Sequence, residues 1–166
     1  MDWKIGDNLV FGMHGVCEIT DVQTEKDGTK DFVLSPVFDK RTRIMVPVEC
    51  DALAYKMRPV LSKDEVTTLI KHMPETAAEW IQNENARKET YKEILKNGDR
   101  LELIAMIRTL YQQQQKQRAK GKRLYRVDEK FLKDASKMLH EEFAFVLGIS
   151  PQEVEEYVTH QLNPEA

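Results

Sequence analysis

Near residue 60 the apolar residues of this chain change their spacing, and no single regular element accommodates both patterns. Before that point they come in short runs cut by turn residues. Gly6-Asp7 precedes Leu9-Val10-Phe11, Gly12 and Gly15 punctuate the next stretch, and Val16 to Val22 mixes β-branched and polar residues in near-alternation. Lys26-Asp27-Gly28 is a hairpin signal, because glycine tolerates the positive φ of tight turns. Phe32-Val33-Leu34 and Ile44-Met45-Val46 supply two more strands around the charged turn Asp39-Lys40-Arg41. Pro47 has no N–H and cannot continue a central ladder. Short strands at this spacing predict a compact antiparallel SH3-like or Tudor-like β-barrel over residues 1–61.

From residue 62 to 166 the signals are helical, so the fold class is α+β with two domains. Ser62-Lys63-Asp64-Glu65 and Asp99-Arg100-Leu101-Glu102 have capping-box spacing, and Asn97-Gly98 is a stop for the preceding helix. Ser150-Pro151-Gln152-Glu153 joins a capping serine to a proline at the first helical position. Asp128 is placed as the cap of a fourth long helix. Leu103, Ile104, Ile107, Leu110 and Tyr111 form one apolar stripe. Leu132, Ala135, Met138, Leu139 and Val146 form a second, and Val154, Tyr157 and Val158 extend the pattern. About five helices are expected, with Gly121 breaking the chain after the polar run Gln112 to Lys120.

The net charge of −3 conceals an uneven distribution. Arg87 to Lys133 carries 14 Lys/Arg against 6 Asp/Glu, whereas Asp134 to Ala166 carries 1 against 7. Lys116 to Arg126 holds six basic residues and no acidic one. Such a stretch is either an ordinary solvated surface or a patch that attracts phosphate backbones by counterion release.

No motif for catalysis emerges. His14, His72, His140 and His160 are scattered without ligand spacing to one another or to Cys17 and Cys50, and there is no phosphate-cradling glycine loop or nucleophile elbow. Two cysteines are too few for a disulfide scaffold and point to a reducing cytoplasm, with two buried free thiols favoured over a Cys17–Cys50 pair. No secretory or membrane-spanning segment is evident. A binder without cofactor or metal is expected. Two features bear on its partners. Thr42 to Val48 looks like an edge strand, either able to accept a partner's strand or simply blunted by Arg43 and Pro47. Trp80, in polar surroundings, is either a satellite core residue or an apolar wedge against nucleic-acid bases.

Lys4 to Phe11, followed by His14-Gly15-Val16, resembles the opening of the CarD family of bacterial RNA polymerase-binding regulators, which shares its first module with the transcription-repair coupling factor. Ile44 to Glu49 resembles that module's closing strand. Arg87 to Leu95, then Asn97-Gly98-Asp99, and Phe143-Ala144 to Leu147-Gly148-Ile149-Ser150 resemble the family's helical domain. The absence of a helicase motif points to the stand-alone regulator. The resemblance implies a barrel that pairs an edge strand with the polymerase β subunit through Arg43, Met45 and Val46. It also implies helices that contact promoter DNA with little sequence preference, through Trp80, Arg87, Lys88, Lys130 and Lys133. A tryptophan wedge there would stabilise the open complex, and a cytoplasmic monomer tethered to polymerase would serve. Two departures stand out. The family's usual wedge position falls on Glu84, one helical turn beyond Trp80, and Met45 stands where some relatives carry arginine. The competing reading is a protein–protein module with no direct DNA contact.

Overall fold

The computed structural model describes residues 2–50, 56–76 and 78–164, and the chain divides into two compact units, Met1–Leu61 and Ser62–Ala166. The first holds strands β1 (Asn8–Phe11), β2 (Val16–Thr24), β3 (Lys30–Pro36), β4 (Ile44–Pro47) and β5 (Met57–Pro59). They form one antiparallel, Tudor-like sheet in the order β4-β3-β2-β1-β5. Gly28, at φ +88°, turns the β2–β3 hairpin, and Asp27 Oδ1 accepts from both the backbone N–H (3.0 Å) and hydroxyl (2.6 Å) of Thr29. A bulge between Ile19 and Asp21 bends β2, where the Thr20 hydroxyl donates to the Val33 carbonyl. Leu9, Phe11, Cys17, Ile19, Phe32, Leu34 and Val46 form the core, with Trp3, Val22, Ile44 and Met57 packed against it. Strand β5 was not expected from local sequence. Its three residues, one of them proline, are a strand because Leu9, Val10 and Phe11 pair with them.

The second unit contains α1 (Lys63–His72), α2 (Glu84–Asn97), α3 (Arg100–Ala119), α4 (Arg126–Leu147) and α5 (Val154–Leu162). Ser62 and Glu65 close a capping box at 3.0 and 3.1 Å, and Asn83 and Asp99 cap α2 and α3 through Ala86 and Glu102 N–H. Gly98 at φ +66° ends α2, so Asn97-Gly98-Asp99 stops one helix and starts the next. Ser150 and Glu153 make the expected box, through a 3₁₀ turn (Pro151–Glu153) that leads into α5. Tyr91, Leu95, Leu103, Met106, Leu110, Phe131, Ala135 and Met138 form the main core, while Val66, Ile70 and Val154 are buried where α1 and α5 meet. Tyr111, assigned to the apolar stripe, is instead exposed.

At Gly148 (φ +70°) a Cβ would meet no atom within 4 Å, so Gly148→Ala isolates the backbone cost of the left-handed conformation that ends α4. Urea unfolding of this variant should show a loss of about 1–2 kcal/mol. A smaller loss would mean that the turn relaxes.

Candidate nucleic-acid interface

The helical unit is organised around a charged pair that the apolar stripes do not announce. Arg87, in the first turn of α2, is 3% exposed. Its Nε donates to Asp128 Oδ1 at 3.0 Å and its Nη2 to Asp128 Oδ2 at 2.8 Å, a fork-to-fork geometry that uses both carboxylate oxygens. Nη1 donates to the Ile81 carbonyl at 2.9 Å, and the guanidinium carbon lies 4.3 Å from the centroid of the Trp80 ring. Asp128 is buried too, and its hydrogen bonds to Arg87 hold that guanidinium above its ordinary pKa. Tyr91 lies one turn along α2 and meets Phe131 edge-on; burial pushes its phenol up to about 12.

The Arg87 guanidinium, expected at the DNA, is occupied inside the unit and shielded from solvent. One expectation is corrected here. Asp128 is not the cap of α4. Tyr125 occupies the N-cap position without a side-chain bond, since the Asp128 carboxylate is taken up by Arg87. A second internal pair joins Arg100 to Glu142 at 2.7 and 2.9 Å, so α3 and the acidic part of the chain are stitched in the same way.

Trp80 lies in the connection between the turn Met73–Glu75 and α2, not on a helix, so the one-turn relation to Glu84 does not hold. The indole is half-buried, packed against the main core on one side and lining a groove of about 420 Å³ on the other. The end of α3 and the start of α4 complete that groove. Gly121 adopts φ +72°, Lys122 N–H reaches the Gln117 carbonyl at 2.8 Å, and Gly121 N–H reaches the Arg118 carbonyl at 2.9 Å. This two-bond closure reverses the chain after α3 and brings Lys122, Arg123 and Tyr125 to the groove beside Trp80. The basic run and the tryptophan, 36 or more residues apart in sequence, therefore share one site.

Lys88, Lys130 and Lys133 are exposed but do not line the groove. Lys130 and Lys133 belong to a basic stripe on α4, with Arg126 and Lys137, all exposed at helical spacing. Sequence reasoning missed Lys122, Arg123 and Tyr125 as individual site residues, although it singled out the run that contains the two cations. The available signal was an aromatic, Tyr125, inside the basic run and directly before Arg126; in the structure it is 69% exposed.

In the first unit, β4 ends the sheet, and among the described residues no strand pairs with its outer side. Val48 N–H donates inward to the Lys30 carbonyl at 2.9 Å, and Val46 pairs with Phe32. Backbone groups alternate along an antiparallel strand, so the N–H and carbonyl of Met45 point outward. Met45 is 40% exposed and Arg43 is exposed. Val46, the third residue expected at the polymerase, is 1% exposed and its side chain belongs to the core.

Cys17 is buried, with its thiol 3.6 Å from the Gly15 carbonyl, and neither it nor Cys50 forms a disulfide. His14 stacks on Phe11 instead of facing a nucleophile. Among the described residues no cluster of His, Cys, Asp or Glu could hold a metal ion, and no helix is long and apolar enough to cross a membrane.

A Tudor-like sheet with an open edge is thus followed along the chain by a helical unit whose groove is lined by Trp80, Lys122, Arg123 and Tyr125. Residues 3–61 match the model of the CarD-like/TRCF RID domain, and residues 66–159 match the CarD, C-terminal domain. The chain belongs to the CarD family, whose members are regulators that interact with RNA polymerase and are not enzymes. No curated protein matched the chain.

Proposed function

We propose that this protein docks on the β subunit of RNA polymerase through the outer side of β4, with Arg43 and Met45 at the contact. The helical unit then lies against promoter DNA and slows collapse of the open complex. The observation that carries this reading is the convergence of Trp80 with Lys122 and Arg123 on one groove, with the Arg126, Lys130 and Lys133 stripe on the helix beyond it. Lys88 is a peripheral candidate for phosphate contact. Phosphate contacts of this kind position a protein without reading sequence, and a weak patch suffices once docking raises its local concentration. A ligand that favours melted DNA shifts the equilibrium by its differential affinity for that state and by nothing else.

The test is the lifetime of open complexes formed by polymerase with the full chain. Trp80→Ala should shorten it about tenfold, in line with the ~1–3 kcal/mol of aromatic–base contacts. Lys122→Glu with Arg123→Glu should shorten it further and lower the salt dependence of DNA binding by a slope of about two. Capture of polymerase should be unaffected by either change. Unaltered lifetimes in both variants would leave the protein–protein module as the better reading.

A further inference from the structure

We propose that the cleft where α3, α4 and α5 meet the turn Met73–Glu75 binds a small aromatic molecule. The ligand is one ring carrying a single neutral hydrogen-bonding group, and phenol is its simplest example. The cleft lies within the helical unit and shares no lining residue with the groove beside Trp80. Each helix brings two apolar residues on one face: Ile104 and Ile107 from α3, Leu139 and Phe143 from α4, Val154 and Val158 from α5. Phe143 and Val154 are fully buried and form the base, whereas Ile107 and Val158 are half-buried. Met73 lines the cleft from the turn and adds an adaptable thioether, a favourable neighbour for a ring. The cleft holds about 130 Å³. An engineered protein cavity of about 150 Å³ with Leu, Ile and Phe walls takes benzene, so the space here suits one ring. Water is a poor occupant, since each molecule needs about two to four polar partners and these walls supply few.

One polar side chain on this wall is unengaged. His140, on α4 between Leu139 and Phe143, is half-buried and makes no hydrogen bond or ion pair among the described residues. Burial holds its imidazole below the ordinary histidine pKa, against the opposing pull of the Glu155 carboxylate, so the ring is neutral at pH 7. A neutral imidazole presents one N–H donor and one acceptor nitrogen, and a phenol hydroxyl can meet either. The remaining polar groups define what the ligand lacks. Arg108 Nη1 already donates to the Met73 and Thr76 carbonyls, and the Thr159 hydroxyl donates to the Glu155 carbonyl. The Glu155 carboxylate lines the same cleft and repels an acidic ligand, which is why the polar group is neutral. A bound ring ties α5 to α3, α4 and the turn from which the Trp80 connection leaves, and so stabilises the folded helical unit by mass action.

Phenol and benzene are titrated into the full chain, and the methyl resonances of isoleucine, leucine and valine are followed by NMR. Both should shift Ile104, Ile107 and Val158 selectively at low millimolar concentration, a range that fits so few ligand atoms. Val158→Phe places a ring in the cleft and should weaken both ligands at least about tenfold, with Ile107→Phe as the alternative if the first variant melts below the parent. His140→Leu keeps the volume and removes the hydrogen-bonding group, so phenol should lose about tenfold more affinity than benzene. No selective shift with either ligand at about 10 mM would overturn the site. Undiminished shifts in the ring-filled variant would put the ligands elsewhere and overturn it as well. Equal losses of phenol and benzene in His140→Leu would overturn His140 as the polar partner. These readouts involve neither DNA nor polymerase, so their failure leaves the function proposed above standing.

Discussion

Asp128→Ala is expected to cost the helical unit about 3–5 kcal/mol, far more than an ordinary single substitution. The cause is the charge that remains behind. Arg87 stays buried at 3% exposure, its Nε and Nη2 stripped of the partners now at 3.0 and 2.8 Å. Glu84 acts on the guanidinium through space but makes no hydrogen bond to it, and a desolvated guanidinium cannot discard its proton. In a unit of this size the loss corresponds to a fall in melting midpoint of more than about 10 °C. Trp80 fluorescence in a Trp3→Phe background gives the midpoint, since the indole contacts Arg87 directly. Arg87→Met combined with Asp128→Leu should recover most of the stability, because an apolar replacement leaves no charge unpaired. The same double variant should not recover open-complex lifetime. It lacks the cation over the indole and the bond to the Ile81 carbonyl, so the segment bearing Trp80 loses its anchor. Stability and activity rising together in the double variant would reduce Arg87 to a packing element. A loss below about 1 kcal/mol in Asp128→Ala would show that water reaches the pair.

The contrast between these residues and the capping residues explains how far the sequence could be read. Ser62, Asn97-Gly98-Asp99, Gly121 and Ser150-Pro151 act within three or four residues of themselves, so their meaning is local and each one marks a helix end in the structure. Strand β5 and the Arg87–Asp128 pair depend on partners some 40 residues or more away, and local propensity is silent about them. A signal for the pair was nonetheless present. Arg87 stands four and eight residues before Tyr91 and Leu95, on the face of α2 that is buried. Asp128 and Glu142 fall on the register of Phe131, Ala135 and Met138 along α4. A charge on an apolar stripe needs a partner of opposite sign, and such partners exist in Arg87 and Arg100. The count of basic residues between Arg87 and Lys133 therefore overstates the charge that faces solvent. Arg87 and Arg100 are committed to internal pairs, and Arg108 hydrogen-bonds the Met73 and Thr76 carbonyls. The run from Lys116 to Arg126 carries no such internal bond to an acid among the described residues, which is why it is left facing solvent.

Met45→Pro separates strand addition from every other way in which the first unit could hold polymerase, and it should reduce capture at least tenfold. The inward hydrogen bonds of β4 run through alternate residues, as Val48 N–H to the Lys30 carbonyl and the Val46–Phe32 pairing require. The Met45 N–H therefore has no role in the sheet's own ladder, and proline there removes a donor that an incoming strand alone would use. Each such bond contributes about 0.5–1.5 kcal/mol, and the ring adds a steric block along the open edge. The sheet should survive, because edge strands admit proline and Ile44 already has the extended conformation that a following proline favours. Met45→Ala is the matched control: it keeps the N–H and loses the side chain. Capture lost in Met45→Pro and kept in Met45→Ala assigns the contact to the backbone of β4. If both lose it, the exposed thioether makes the contact. Capture kept in both, with the far-UV spectrum of a folded sheet, would remove β4 from the polymerase interface.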